Sequence, residues 1–454
     1  MTAASLTPST KTGTSSRYAI YVVLVLMLAY MLSFMDRVLI SLMIDPIRAD
    51  LGLGDTQVGL LVGFGFVLLY SIMGIPFGAM ADSGNRRNLI IFGVLGWSAA
   101  TAVSGFAAGF MTLLAARAMV GIGEATLSPA AYSTIADRFE KKRLGFAVSL
   151  YNMGVSLGGG VAMLFGGMLV GWAMKTSVPL PWGELTGWRL AFVAVGLLGI
   201  PLAILMGLTV REAPRRRGNV KAPPLNAVFE LAKSHKLAFG GVIIGYSILV
   251  IAAYGAMLWA PAHFARAHAM PPAQLGLAFG IIIGVFGTIG LAIGGVLSDR
   301  SAKKGHADAP VRIVLGAAII QFPLLLGGYL VNDTNIALVL IAAGMATVST
   351  IGGLQAGTLQ ILTPASMRGR MTAIYLLVAN MAGMGLGPLI TGYISEHFFE
   401  GPSSLGKALA VVTAVSLVVG VGVILIARKA IIAAVHDNDR KEAAAAAEAA
   451  LAQG

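Results

Sequence analysis

Cysteine is absent from all 454 residues, and charge is scarce, with Asp, Glu, Lys and Arg together making up 11% of the chain. Without cysteine there is no disulfide, no thiolate metal site and no thiol nucleophile. A soluble globular protein carries about 25% charged residues to cover its surface. Most of this chain's surface must therefore face something other than water. P-loop, HExxH and Cys/His metal patterns are also missing, which excludes ATP hydrolysis and leaves no cofactor, no metal and no enzyme activity expected. The first 17 residues are polar and hold no apolar stretch of the signal-peptide kind. What is plentiful is apolar surface: 57% of residues are hydrophobic and 58 are glycine, and the mean hydropathy is +0.83.

A membrane-spanning helix needs about 20 predominantly apolar residues. Twelve such stretches can be read, at 18–44, 57–81, 89–108, 111–136, 144–172, 189–210, 238–263, 274–298, 311–331, 336–362, 371–396 and 407–434. Residues 1–17 form a polar N-terminal segment, 18–210 a first bundle of six spans and 237–435 a second. Between them, 211–236 reads as a linker, with an arginine cluster, a Pro-Pro pair and then a short amphipathic helix on the membrane. The tail 436–454 turns charged and then alanine-rich, and a frayed or disordered helix is expected there.

The net charge of +12 would suggest nucleic acid in a soluble protein, but its distribution argues otherwise. Of 32 Lys and Arg residues, 25 fall in alternate loops and tails and only five in the intervening loops. That alternation is the positive-inside pattern. It predicts a multi-pass protein of the cell inner membrane with both termini cytoplasmic, and it accounts for the basic charge without nucleic acid. A monomer is expected.

The two halves repeat. GAMADSGNRR follows the second span and GVLSDRSAKK the eighth, sharing Gly-x-x-x-Asp and then a basic pair (Gly78, Asp82, Arg86 and Arg87; Gly295, Asp299, Arg300, Lys303 and Lys304). Gly78 and Gly295 are expected to let two helices approach, with the Asp and basic residues holding the loop as an ion-pair network that gates conformational change. Two six-helix halves with this loop in corresponding places resemble the major facilitator superfamily, whose repeats enclose a midplane site. The resemblance implies an all-α membrane protein of twelve transmembrane helices in two six-helix bundles. The first copy departs from the usual pattern, with Ser83 in place of an arginine and Gly84 one position early.

Four ionisable residues lie well inside spans: Asp36, Arg37, Arg117 and Glu124. A charge at the bilayer centre costs about 2.5–3.5 kcal/mol even on lenient scales, so each must be paired or hydrated. Arg117 and Glu124 are two turns apart on one helix face. Counting rise along oppositely running helices puts Asp36 about 12 Å and Arg117 about 10 Å deep, within reach of one another. Such a neutral cluster can act as a proton switch, in which protonation of Asp36 or Glu124 frees an arginine whose fork suits a phosphate or carboxylate. The competing reading is a static ion pair that fixes packing, although buried pairs stabilise poorly compared with apolar residues. Tyr254, Trp259, Gln321, Gln355, Gln360, Tyr375 and Asn380 are the further polar or aromatic groups available to line a cavity, and His263 is expected to be solvated at an outer helix end.

SFMDRVLI at 33–40 and RAMVGIGEATLSPAAYSTIADRF at 117–139 narrow the comparison. The Met-Asp-Arg triplet and the Arg-x-x-x-Gly-x-Gly-Glu-Ala run resemble the Spinster family of facilitator proteins, known as sphingosine-1-phosphate or lysophospholipid transporters. That resemblance implies a lipid or lysolipid substrate, protons and the bilayer as partners, with Asp36 and Glu124 proton-responsive. Arg37 and Arg117 would be their partners, and Arg117 the headgroup contact. Related anion symporters carry a similar first-span Asp-Arg, so a small organic anion such as a sugar acid stays open as substrate. From another class, a non-transporting receptor or a lipid scramblase is also open.

Overall fold

The computed structural model describes residues 16–181, 183–215, 225–364 and 367–451. The polar 1–15 and the basic, proline-containing 216–224 of the linker lie outside them. In a bilayer every backbone polar group must be satisfied within the chain, and helices do this by themselves. Among the described residues, eleven helices are long and apolar enough to cross. The twelfth spanning element, Arg86–Ser104, occupies the third position. Its lower hydropathy comes from the two arginines at its start and from Ser98, Thr101 and Ser104, all buried inside the bundle.

Several spans are interrupted where function is expected. The second breaks at Gly63, between Asp55–Val62 and Phe64–Ser83. The fourth breaks directly after Glu124, between Phe110–Glu124 and Leu127–Arg138. The eighth and eleventh contain π-helical turns at Ile282–Phe286 and Met381–Leu386, a feature that often marks functional positions.

Three features differ from the sequence reading. The loop between the fifth and sixth spans forms an antiparallel hairpin of Ser177–Leu180 and Gly183–Thr186, too short to leave an alternation signal. The last span does not end near 435 but continues as one helix, Ser404–Leu451, because alanine and paired Lys/Glu residues are strong helix formers. Its extension is tied down by Arg368 to Glu442 at 2.9 Å and by Asn438 donating to the Ile361 carbonyl at 3.2 Å. The amphipathic helix expected in the linker is present at Leu225–Ser234.

The third difference concerns the repeated loops. A Cβ built on Gly78 or Gly295 meets nothing within 4 Å, and the close approaches are made elsewhere. A Cβ on Gly167 would fall 2.6 Å from the Gly276 Cα, and one on Gly59 would fall 2.5 Å from the Pro388 carbonyl oxygen. Both contacts join the two halves towards the face opposite the basic loops. The bundle is thus closed on that side, and the space beside Gly78 and Gly295 is open. If alternating access closes the basic face, Gly78 is where a helix can approach. Gly78→Leu should therefore leave thermal stability unchanged while cutting transport at least tenfold. Unaltered flux would reduce Gly78 to a lipid-facing position.

Candidate functional site

The first and fourth spans bring all four intramembrane charges together as two discrete pairs. Arg117 Nη1 donates to Asp36 Oδ2 at 2.7 Å, and Thr101 Oγ1 donates to Asp36 Oδ1 at 2.7 Å. Both partners are sealed, each with 2% of its side chain exposed. Arg37 donates to Glu124 Oε2 from Nε at 2.7 Å and from Nη2 at 2.6 Å. Ser33 Oγ adds a third donor to the same oxygen at 2.5 Å. Glu124 is fully buried, whereas Arg37 keeps 11% of its side chain exposed.

The two carboxylates differ in one respect that matters chemically. Asp36 has a donor on each oxygen. Glu124 collects all of its donors on Oε2, and Oε1 is buried with no partner. A buried carboxylate oxygen without a donor is costly while charged. It is also a vacant position for a proton that disturbs no existing bond.

Arg37, which keeps some exposure, lies closer to aromatic rings than the sealed Arg117 does. Its guanidinium lies 4.7 Å from the Phe66 ring centroid and 4.8 Å from that of Tyr70, and those rings stack on each other at 5.3 Å. Tyr254 of the second half is partly buried and packs against the apolar core of the first half. Arg117, expected to meet the headgroup, is instead enclosed by its pair with Asp36 in this arrangement. The reason is geometric: Asp36 turns inward to Thr101 of the third span while the adjacent Arg37 turns to the space between the halves.

The other expected lining residues separate. Tyr375 donates to Gln355 Oε1 at 2.5 Å, closing that pair on itself. Asn380 is half-buried beside the π-turn, and Gln360 is exposed near the end of the tenth span. Trp259 is fully buried, its indole nitrogen donating to the Pro388 carbonyl at 2.8 Å, so it braces the closed side and does not line the cavity. His263 is not solvated: it is buried, packed against Gly406 and near Tyr329.

The residues that close the far side are not among the candidate residues of the sequence. Arg266 of the seventh span forks onto Asp55, Nη1 to Oδ2 at 2.8 Å and Nη2 to Oδ1 at 2.9 Å, while its Nε reaches Asp45 Oδ1 at 2.7 Å. Ser395 Oγ donates to Asp55 at 3.1 Å. The Thr56 amide and hydroxyl donate to Glu396 Oε2 at 2.8 and 2.6 Å. These contacts cross between halves. Among the described residues, the ion pairs on the basic face, such as Arg86 with Asp137 and Arg428 with Asp308, each stay within one half.

There the repeated loops behave differently from expectation. Arg86 is fully buried in a network with Asp137, Glu212 and Ser133, but Asp82 is exposed. Arg87 bonds the Gly207 carbonyl. In the second copy Asp299, Arg300, Lys303 and Lys304 are exposed, and the network forms instead around Asp308, bonded to Arg312 and Arg428 at 2.7 Å each. Burial alone would raise the Asp308 carboxyl, and the bonds from Arg428 and Arg312 outweigh it, so its pKa lies below the ordinary value. A depressed carboxylate stabilises the fold above the ordinary value and loses that contribution as pH falls through its own. Asp308→Asn should cost about 2 kcal/mol near neutrality. The lowered denaturation midpoint should approach that of the parent only below the normal carboxylate range, and a constant difference at every pH would remove the ionic explanation.

This fold and its paired intramembrane charges define a secondary transporter of two six-helix bundles, and the chain belongs to the Major Facilitator Superfamily, whose profile matches residues 26–388. Within it the chain is similar to Spinster proteins. A solved bacterial homologue of the human lysosomal transporter Spinster, inward-facing and unoccupied, superposes with a TM-score of 0.78 at 28% identity, over 93% of this chain and 98% of that one. An MFS-type efflux pump of Mycolicibacterium smegmatis is 28% identical over 87% of this chain and 89% of its own length. The hexuronate transporter of Bacillus subtilis is 26% identical over 87% of this chain and 93% of its own.

Proposed function

We propose that this protein carries an amphiphilic anionic lipid, of sphingosine-1-phosphate or lysophospholipid type, across the inner membrane by proton-linked alternating access. The observation that carries the reading is Arg37. It is a partly exposed guanidinium on an aromatic wall, held by a carboxylate whose second oxygen is free to take a proton. When Glu124 Oε1 gains a proton, the charge that holds Arg37 disappears and its fork turns to a phosphate or carboxylate headgroup. When the proton leaves, Glu124 reclaims Arg37 and the headgroup is released. Arg117 and Asp36 act as the second, more enclosed pair, with Tyr254 of the second half packed against the first.

The basic face is taken as cytoplasmic because Lys and Arg accumulate there. The arrangement described is then inward-facing, with both termini on the open side. The apolar second half supports an acyl tail, and the similarity to Spinster proteins supports the lipid class. A second reading, symport of a small organic anion such as a sugar acid, is favoured by the likeness to a hexuronate transporter and by the same arginine chemistry.

Proteoliposome flux of lysolipids and of sugar acids, with and without a pH gradient, separates the readings. Saturable lysolipid flux that responds to the gradient and is lost in Arg37→Ala supports the proposal. Sugar-acid flux without lysolipid flux replaces it with the second reading. Unsaturable lipid flow would indicate a scramblase, and ligand binding without flux a receptor.

A further inference from the structure

A groove of about 540 Å³ lies on the flank of the fourth span turned away from the charge pairs. Met119, Gly123 and Thr126 line it, while Arg117, Val120 and Glu124 of the same span are buried in the bundle. Its other walls come from the end of the second span and the start of the third. Phe92, Met80 and Met119 on its lips are 71%, 50% and 55% exposed. In a chain that spans a bilayer, such side chains stand among acyl tails.

The groove's length and polarity match one leaflet. Asn85 caps the third span at the basic face, and Gly96 at the deep end of the groove is about 16 Å further along the helix axis. That is half of an apolar thickness of about 30 Å. The mouth is polar, lined by Ser83, Gly84 and Asn85. These include the two positions where the first loop departs from its usual pattern, leaving small residues at the entrance. Arg215 sits over this mouth, donating to the carbonyls of Gly84 at 2.7 Å and Ala81 at 3.1 Å, and also to that of Asp82. All three acceptors are neutral, so these bonds do not cancel its charge, and two more arginines follow it in sequence.

We infer that this groove is a binding site for an anionic phospholipid of the leaflet at the basic face, with one acyl chain along the third span and the phosphate at Arg215. The site is separate from the substrate cavity, because it opens on the opposite flank of the helix that carries Glu124. A bound chain would brace the fourth span from outside while the charge pair changes on its inner side.

Gly96 offers a clean test, since a Cβ there meets nothing within 4 Å. Gly96→Phe should fill the deep end, whereas Gly96→Ala should not. Delipidated full-length protein is titrated with dioleoylphosphatidylglycerol, with dioleoylphosphatidylcholine and with glycerol 3-phosphate, and bound lipid is counted by native mass spectrometry. The wild type and Gly96→Ala should hold one phosphatidylglycerol at a lipid concentration where Gly96→Phe holds at least tenfold less. Arg215→Gln, which keeps an amide donor for the carbonyls at the end of the second span but removes the charge, should keep the chain but lose the preference for phosphatidylglycerol over phosphatidylcholine. Glycerol 3-phosphate should not compete. Undiminished lipid on Gly96→Phe, an unchanged preference in Arg215→Gln, or competition by glycerol 3-phosphate would each overturn the site. Arg37→Ala should bind as the wild type does. Loss of the lipid in that variant alone would place it in the central cavity, which sinks this inference and leaves the proposed transport standing.

Discussion

Arg266→Ala should open the side of the molecule opposite the basic loops. Arg266 makes a bidentate contact with Asp55 and a third bond to Asp45, and its own side chain is only 14% exposed. Removing one partner of a buried pair costs about 3–5 kcal/mol when the charge left behind is uncompensated, and the lower end applies here because Arg48 stays 3.4 Å from Asp55 and Asp45 is part-exposed. Moving a two-state equilibrium from 1:99 to 99:1 takes about 5.5 kcal/mol. The outward-open population should therefore rise from a minor fraction to half or more. Because the chain has no cysteine, single cysteines can be introduced for labels without removing a background. Spin labels at Gln57 and Phe398, both exposed, should report a longer distance in the variant than in the parent. An identical distance distribution would assign closure to the glycine contacts at Gly59 and Gly167 instead. Asp55→Asn should reproduce the effect in milder form, since an amide still accepts from Arg266 but carries no charge.

The second large effect concerns the proton. Glu124→Gln keeps an oxygen for Arg37 and Ser33 and keeps the shape, yet carries neither charge nor proton. Gradient-driven accumulation of substrate should fall at least tenfold, about 1.4 kcal/mol of lost coupling, and flux should lose its dependence on pH. Exchange without a gradient should survive, since alternating access itself does not need the carboxylate. Asp36→Asn should remove proton dependence as well, and because Asp36 also holds Arg117 and Thr101 it should lower the denaturation midpoint more than Glu124→Gln does. Wild-type pH response in both variants would end the role given to these acids. Arg37→Ala is the complementary change: it leaves Glu124 with Ser33 alone, a buried charge that must take up a proton, so the variant should resemble the protonated state and also lack its anion contact.

Both expectations rest on residues that differ in how visible they were beforehand. The four intramembrane charges stand out against an apolar background, and their depths follow from helix rise alone. Arg266, Asp45 and Asp55 carry the same chemistry but sit at helix ends, where charges are ordinary. Nothing marks them in the sequence, since their partners are 221 and 211 residues away. Asp137 and Asp308 also sit at helix ends, where charge is ordinary, while the repeated Asp82 and Asp299 are exposed.

What the chain's composition and order determine is what local transfer energetics can determine: that it spans a membrane, where the spans fall, which loops are basic, that two halves repeat, and which charges need partners. Tertiary structure alone decides that Asp36 takes Arg117 while Glu124 takes Arg37. It also decides that one Glu124 oxygen is left bare, and that the bundle is closed on the side of Arg266. Hydropathy acts residue by residue along a helix. Pairing depends on the rotation of each helix, and closure on how the two halves lean together, and these are set by contacts between segments 81 to 221 residues apart.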